Sequence, residues 1–288
     1  MGDFKGSVGG SRRTIAPVHP WLGSLCLGLA VAASACTEEP GDADEALGST
    51  SEAVIHPRMQ VGVRGAADYQ NNWQNYLGNA WNNCYGFGST ISSTDDWIYY
   101  YNLVGAKAPL EETGDAWGTA YGSADTVDLY FMETHGGNFG SDTVWAMWDQ
   151  NSLVNSTAMR LGDDARQLSV LASLSCDVLA SADGNFWGRW YNAFAGGLRV
   201  SLGGWDLLYD AAGIGASFAT RVQWGWTFGD AFANATIGGD GRAKPAVAVA
   251  ATDANSCWGR LGASAPNIFS QARVRDWSIG YMCWVTWN

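Results

Sequence analysis

Two apolar runs of the chain each end directly in a residue whose side chain could take part in covalent catalysis. The first run, residues 127–134, is followed by His135, and the second, residues 168–175, is followed by Cys176. Both runs are rich in the apolar residues that fill a strand buried on both faces. A cysteine nucleophile requires at least a thiol and an adjacent base such as an imidazole.

These two residues can react together only if the strands that carry them are neighbours and run in the same direction. In open parallel sheets, reactive groups lie just beyond the carboxyl ends of the strands. We therefore expect His135 and Cys176 at one edge of a sheet. Taken singly, each residue has a simpler interpretation, because a cysteine that ends an apolar strand commonly belongs to the core. Their occurrence after two matching strands, with Gly136 next to the histidine, favours the catalytic interpretation.

The rest of the chain alternates strand-like and helix-like segments, which predicts a mainly parallel sheet. The fold class that we expect is α/β, a three-layer sandwich with helices on both faces of the sheet. The predicted strands are residues 59–64, 127–134, 168–175, 198–202, 246–249 and a closing β-rich stretch at 274–287, with Thr143 to Trp148 as a hairpin arm. The predicted helices are residues 69–84, 186–194 and a segment with Phe218, Val222 and Trp226 on one face.

The small number of histidines excludes several other chemistries. The chain contains only His19, His56 and His135, and only His135 falls within the predicted domain. The domain therefore cannot supply the two or three imidazoles of a histidine-based zinc site. A serine hydrolase of the lipase type would need a Gly-x-Ser-x-Gly elbow and a later histidine, and both are missing. No Gly-x-Gly-x-x-Gly follows the first strand, which excludes a common nucleotide fingerprint. We therefore expect neither a metal nor an organic cofactor.

The two strand-end motifs resemble those of the caspase, gingipain and legumain superfamily of cysteine peptidases. Thr134-His135-Gly136 is similar to its His-Gly motif, and Ser175-Cys176 is similar to its Ala/Ser-Cys motif. The resemblance implies a caspase-like sheet, a peptide or protein substrate, Cys176 as nucleophile and His135 as general acid. It also implies that the backbone N–H of Gly136 holds the oxyanion. The wider pattern, including residues 160–163, also resembles a bacterial domain family of unknown function.

The first residues of the chain predict export from a bacterial cell. Residues 1–35 have the basic and apolar regions of a signal peptide, and Ser11 to Ile15 is compatible with either the twin-arginine or the general route. Small residues before Cys36 resemble a lipobox, so Cys36 is the candidate lipidation site; ordinary cleavage and secretion is the alternative. Residues 36–57 read as a disordered acidic tether and 58–288 as one domain. The expected location is the cell envelope, with the lipid as the only membrane contact.

Net charge and cysteine content limit the partners and the covalent bonds. The formal net charge of −12 argues against nucleic acid, which needs basic patches. Cys257 and Cys283 form the favoured disulfide if one exists, which leaves Cys84 as a buried thiol. A bond between Cys84 and Cys176 would abolish the catalytic interpretation.

A second hypothesis from another functional class follows from the 16 tryptophans of the chain. Indole faces bind sugars and aromatic ligands, so a non-enzymatic, tryptophan-rich surface protein with a carbohydrate or protein ligand is the alternative. Many aromatic residues, such as Trp187, Trp190 and Phe194, have helical spacing and are expected in the core. The working hypothesis is a cysteine peptidase or an inactive relative that keeps its geometry.

Overall fold

The computed structural model describes residues 59–65, 77–93, 95–99, 124–146, 153–163 and 168–288. The expected signal peptide, Cys36 and the tether lie outside these residues, and so does His56. Among the helices described, none has both the length and the apolar character needed to cross a membrane.

The chain forms an α/β fold around a seven-stranded sheet with the strand order β10-β9-β8-β7-β3-β1-β2. Strands β2, β1, β3, β7 and β8 are parallel, and β9 is antiparallel to both β8 and β10, so β9 alone runs in the opposite direction. The sheet is thus mainly parallel, as the sequence predicts. Its strands are β1 Gln60–Gly65, β2 Asp96–Tyr99, β3 Leu129–Glu133, β7 Val170–Leu174, β8 Val200–Gly204, β9 Pro245–Ala251 and β10 Tyr281–Thr286.

One face of the sheet is covered by five of the six described helices. Alternate strand residues such as Leu129 and Phe131 point into this core, where Phe131 stacks on Phe87 with ring centroids 4.8 Å apart. The helices of this layer are α1 Ala80–Ile91, α3 Ile214–Gln223, α4 Phe228–Gly239, α5 Ala254–Leu261 and α6 Ala265–Ser270. Helices α1 and α3 approach closely at Gly215, where a Cβ atom would lie 1.8 Å from the carbonyl oxygen of Asn83.

The other face is covered by one helix and a second, three-stranded sheet. Helix α2, Phe186–Ala195, buries Trp190, whose ring packs edge-on against Trp145 at 5.8 Å. The small sheet is antiparallel, in the order β4-β5-β6, and contributes Trp145 and Val154 to this core. Its strands are β4 Gly136–Phe139, β5 Asp142–Ala146 and β6 Leu153–Asn155. The three-layer expectation holds, with part of the outer layer made of strands.

Two helix predictions differ from the structure. The helix expected over residues 69–84 begins at Ala80 and continues to Ile91, and residues 69–76 lie outside the described residues. Gly86 and Gly88 obscured this continuation in the sequence, whereas burial of Phe87 and Ile91 against the sheet stabilises it. Trp226 lies beyond the end of α3 at Gln223, because Gly225 follows with a φ of 78° that ends the helix.

The cysteine pairing agrees with the sequence prediction. Cys257 and Cys283 form a disulfide between α5 and β10, with their Cα atoms 5.9 Å apart. Neither Cys84, which is buried in α1, nor Cys176, which is partly exposed, forms a disulfide. The bridge that would have abolished the catalytic interpretation is therefore not formed.

Candidate functional site

Strands β3 and β7 bring the two candidate catalytic residues to one edge of the sheet. The strands are direct parallel neighbours, with Leu129 paired to Val170 and Glu133 paired to Leu174. His135 follows β3 and Cys176 follows β7 by the same number of residues. The sequence therefore predicted their relative placement correctly, while their catalytic roles remain predictions.

Gly136 joins the two strand ends by direct contact. A Cβ atom on Gly136 would lie 2.6 Å from the carbonyl oxygen of Cys176 and 2.9 Å from the Cβ of Ser175. The backbone after the histidine thus packs against the backbone that carries the thiol. The expected need for glycine at this position follows from that close approach.

The turn between His135 and Gly136 starts the hairpin of the small sheet. The carbonyl oxygen of His135 accepts a 2.9 Å hydrogen bond from the N–H of Ala146, and Gly136 faces Trp145. This bond makes Gly136 and Trp145 a non-hydrogen-bonded pair of the antiparallel ladder. Strand β5 therefore does not use the N–H of Gly136, which is the group expected to hold an oxyanion.

The Cys176 thiol is held by the loop that follows β8. Its S–H donates to the carbonyl oxygen of Leu208 at 3.3 Å, and the N–H of Leu208 donates to the sulfur at 3.3 Å. Burial raises the pKa of Cys176, and the carboxylates of Asp177 and Asp206 raise it further, against the opposing effect of the Leu208 hydrogen bond. The thiol is therefore protonated at neutral pH in this conformation, rather than a preformed thiolate.

Backbone hydrogen bonds fix the turn after Cys176 against the end of β8. The N–H of Asp177 donates to the carbonyl oxygen of Asp206 at 3.1 Å, and the N–H of Leu179 donates to that of Gly204 at 2.8 Å. Asp177 has a φ of 56°, a left-handed conformation that aspartate tolerates better than most residues. The position of the thiol is thus set by two strands and by the β8–α3 loop.

Glu133 is a member of this edge that the sequence reasoning did not single out. It ends β3 two residues before His135 and is almost fully buried. Burial raises its pKa well above the ordinary value, and a hydrogen bond with Asp210 raises it further, while the side-chain amide of Asn83, which donates to it at 2.9 Å, lowers it. Burial of this carboxyl group therefore favours its protonated form. The available signal was a carboxyl group within an otherwise apolar strand.

The contacts of Asp210 connect this buried carboxyl group to the same loop that holds the thiol. The backbone N–H of Asn79 donates to both carboxylate oxygens of Asp210, at 3.1 and 3.0 Å. The amide of Asn83 also donates to the carbonyl oxygen of Ala211 at 3.0 Å. The loop from Gly204 to Ile214 is thus tied to α1, β3 and β7 at once. Among the described residues, no group of three or more His, Cys, Asp and Glu side chains could hold a metal ion.

The fold and this edge define an α/β protein with a thiol and an imidazole after neighbouring parallel strands. Residues 64–272, well over half of the chain, match the family described as Domain of unknown function (DUF6345), and the chain belongs to that family. No curated protein matches the sequence.

Proposed function

We propose that the edge formed by β3 and β7 is the active site of a cysteine hydrolase that cleaves peptide bonds. The single observation that supports this most is the contact of Gly136 with the backbone of Cys176, next to the parallel pairing of β3 and β7. In support of the proposal, the backbone positions of His135, Gly136 and Cys176 follow the ends of these two neighbouring strands. The similarity to caspase-like peptidases in the strand-end motifs points to the same chemistry.

The proposed reaction starts from the protonated thiol. As the sulfur of Cys176 attacks the carbonyl carbon of the scissile bond, its proton passes to His135. The carbonyl oxygen becomes an oxyanion, and the N–H of Gly136 donates to it. When the C–N bond breaks, His135 gives the proton to the leaving amine, and the acyl group remains on sulfur as a thioester.

Water completes the cycle. A water molecule gives a proton to His135 and adds to the thioester carbonyl carbon, and the C–S bond then breaks. The carboxylic acid leaves, and the sulfur regains its proton from His135. No redox partner or cofactor takes part, because the net change is the addition of water across a peptide bond.

The test compares the wild-type chain with Cys176→Ala on a peptide library that varies the residues around the cleavage site. We expect the wild type to cleave a subset of peptides, and the variant to lose cleavage by a factor on the order of 10⁴ or more. Cys84→Ala is the matched control, because Cys84 is the other cysteine outside a disulfide among the described residues, and its loss should leave the pattern of cleavage unchanged. Equal cleavage by the wild type and Cys176→Ala would refute the proposal.

Alkylation separates an inactive relative from an active enzyme. Iodoacetamide should modify Cys176, which is partly exposed, before it modifies the buried Cys84. A Cys176 that is alkylated normally in a protein without cleavage would indicate that the geometry persists without the activity.

A further inference from the structure

A concave site lies over β9 and β10, away from the proposed catalytic edge. It is a cavity of about 400 Å³. Val247 and Val285 of the sheet line it together with Trp287, which directly follows β10. Its other lining residues belong to the start of α4 and the end of α5: Thr227, Gly229, Asp230, Trp258, Leu261 and Gly262.

The size of the cavity and its glycine suit a small ligand. Its volume falls in the range of small-molecule sites, about 300 to 1,000 Å³. A Cβ atom on Gly229 would lie 2.9 Å from Val247 and 3.1 Å from the ring of Trp287. Only glycine therefore lets the first turn of α4 lie this close to the sheet without displacing the indole.

Two indole rings that differ in solvent exposure line the cavity. Trp287 is 4% exposed, and its carbonyl oxygen accepts a hydrogen bond from the indole of Trp205 at 3.1 Å. Trp258 is 38% exposed. An indole face carries negative quadrupole charge and attracts polarised C–H groups. The partly exposed ring thus offers a stacking surface for the C–H face of a pyranose.

The polar groups of the cavity include both donors and acceptors. The hydroxyl of Thr227 donates to the carboxylate of Asp230 at 2.9 Å and accepts from the N–H of Asp230 at 3.0 Å, which fixes the carboxylate at the start of α4. The first N–H groups of a helix have no acceptor within the helix. Sugar hydroxyls both donate and accept, so they match this combination.

Charged ligands match the cavity less well. An anion would meet the carboxylate of Asp230, and none of the lining residues is lysine or arginine. A cation would meet the positive end of the α4 dipole and a carboxylate that already accepts the Thr227 proton. A neutral ligand with an apolar face and several hydroxyl groups satisfies both constraints.

We propose that the cavity between α4, α5 and β10 binds a saccharide, with the ring of Trp258 stacked on a pyranose and Asp230 accepting from its hydroxyl groups. This site is independent of the β3–β7 edge. It contains two of the 16 tryptophans of the chain, Trp258 and Trp287.

Isothermal titration calorimetry of the full chain with a panel of neutral sugars tests the proposal. The panel contains glucose, galactose, mannose and N-acetylglucosamine, each free and as short oligosaccharides. We expect saturable binding of at least one sugar, and a loss of affinity of about tenfold or more in Trp258→Ala. Trp258→Phe should recover part of the affinity, because it restores an aromatic face. Trp277→Ala is the matched control, since Trp277 is 93% exposed and does not line the cavity.

Three outcomes would overturn the proposal: no sugar of the panel binds, Trp258→Ala binds as tightly as Trp277→Ala, or tetramethylammonium binds where no sugar does. The same titration of Cys176→Ala should give unchanged affinity. Sugar binding and peptide cleavage can therefore fail or succeed separately.

Discussion

The two ends of the parallel strands in the main sheet differ in how they accommodate buried ionisable groups. We call the end at which the parallel strands begin the amino edge, and the end at which they finish the carboxyl edge. At the amino edge, Arg199 donates to the carbonyl oxygen of Gln271 at 2.7 and 3.1 Å, and to the hydroxyl of Ser169 at 2.6 Å. Arg273 donates to the carbonyl oxygens of Leu168 and Gly197 at 2.9 and 2.8 Å. These guanidinium groups tie the segment before β10 to the starts of β7 and β8.

At the carboxyl edge, burial favours the protonated forms of several ionisable groups. The charges that act on Cys176 and Asp177 there are carboxylates, and both pKa values are raised, chiefly by burial. Glu133 is buried beside Asp210, and burial raises its pKa well above the ordinary value. At the amino edge, burial and the neighbouring arginines lower the pKa of Arg273 to about 10, which still leaves it charged at neutral pH.

This contrast indicates that the amino edge contributes to stability and that the carboxyl edge is suited to reactivity. The amino edge satisfies its charges with backbone carbonyl groups, which is a structural role. At the carboxyl edge, burial favours the protonated forms of Cys176, Glu133 and Asp177, and such perturbed groups are typical of sites of proton-transfer chemistry. Substitutions at the amino edge should therefore change stability, whereas substitutions at the carboxyl edge should change properties that depend on protonation.

Arg199→Met should give the largest effect on stability. The change leaves the carbonyl oxygen of Gln271 without its guanidinium donor in a site where Arg199 is 8% exposed. We expect a loss of about 3 kcal/mol in the free energy of unfolding, measured by urea denaturation. Arg242→Met is the control, because Arg242 lies at the surface and pairs with Asp240. Its unfolding midpoint should not move, and equal losses in both variants would contradict a structural amino edge.

Glu133→Gln should change the pH dependence of stability. The pKa of Glu133 is raised in the folded chain, so its contribution is fully present below the ordinary glutamate pKa and is lost as pH rises toward the folded value. Glutamine cannot ionise in the unfolded chain and keeps an amide for Asp210 and an oxygen for Asn83. We expect the variant to be more stable than the wild type at pH 8, and about equally stable at pH 4.

Glu133→Ala provides the control for this prediction. It removes the carboxyl group but leaves the Asn83 amide without the partner now 2.9 Å away, so it should destabilise the chain at both pH values. Parallel pH–stability curves for the wild type and Glu133→Gln would show that Glu133 does not titrate as proposed.

Asp177→Asn should give the smallest effect, on the thiol alone. Removing this carboxylate lowers the pKa of Cys176, so alkylation by iodoacetamide at pH 7 should accelerate, by less than about tenfold. Asp276→Asn is the matched control at the amino edge, because Asp276 shares a positive φ, here 41°, which asparagine also tolerates. An unchanged alkylation rate in Asp177→Asn would contradict an effect of this carboxylate on the pKa of Cys176.

Much of the fold was predictable because burial of a strand on both faces leaves a clear apolar run. The strands before His135 and Cys176 and the helix with Trp190 lie where their patterns place them. The continuation of α1 beyond Cys84 was not predictable, because Gly86, which packs against Ala216 of α3, and Gly88 weaken the helical pattern. The reversal of β9 also required the tertiary structure, since strand direction is set by pairing with β8 and β10.

The sequence by itself determined the alternation of strands and helices and the two reactive residues, His135 and Cys176, that follow β3 and β7. It did so because side-chain periodicity and residue type are local properties. Only the tertiary structure decided that Leu208 holds the Cys176 thiol, that Asp210 meets Glu133, and that Trp258 and Asp230 line one cavity. These residues are distant along the chain, and their contacts depend on how loops and helices pack over the sheet.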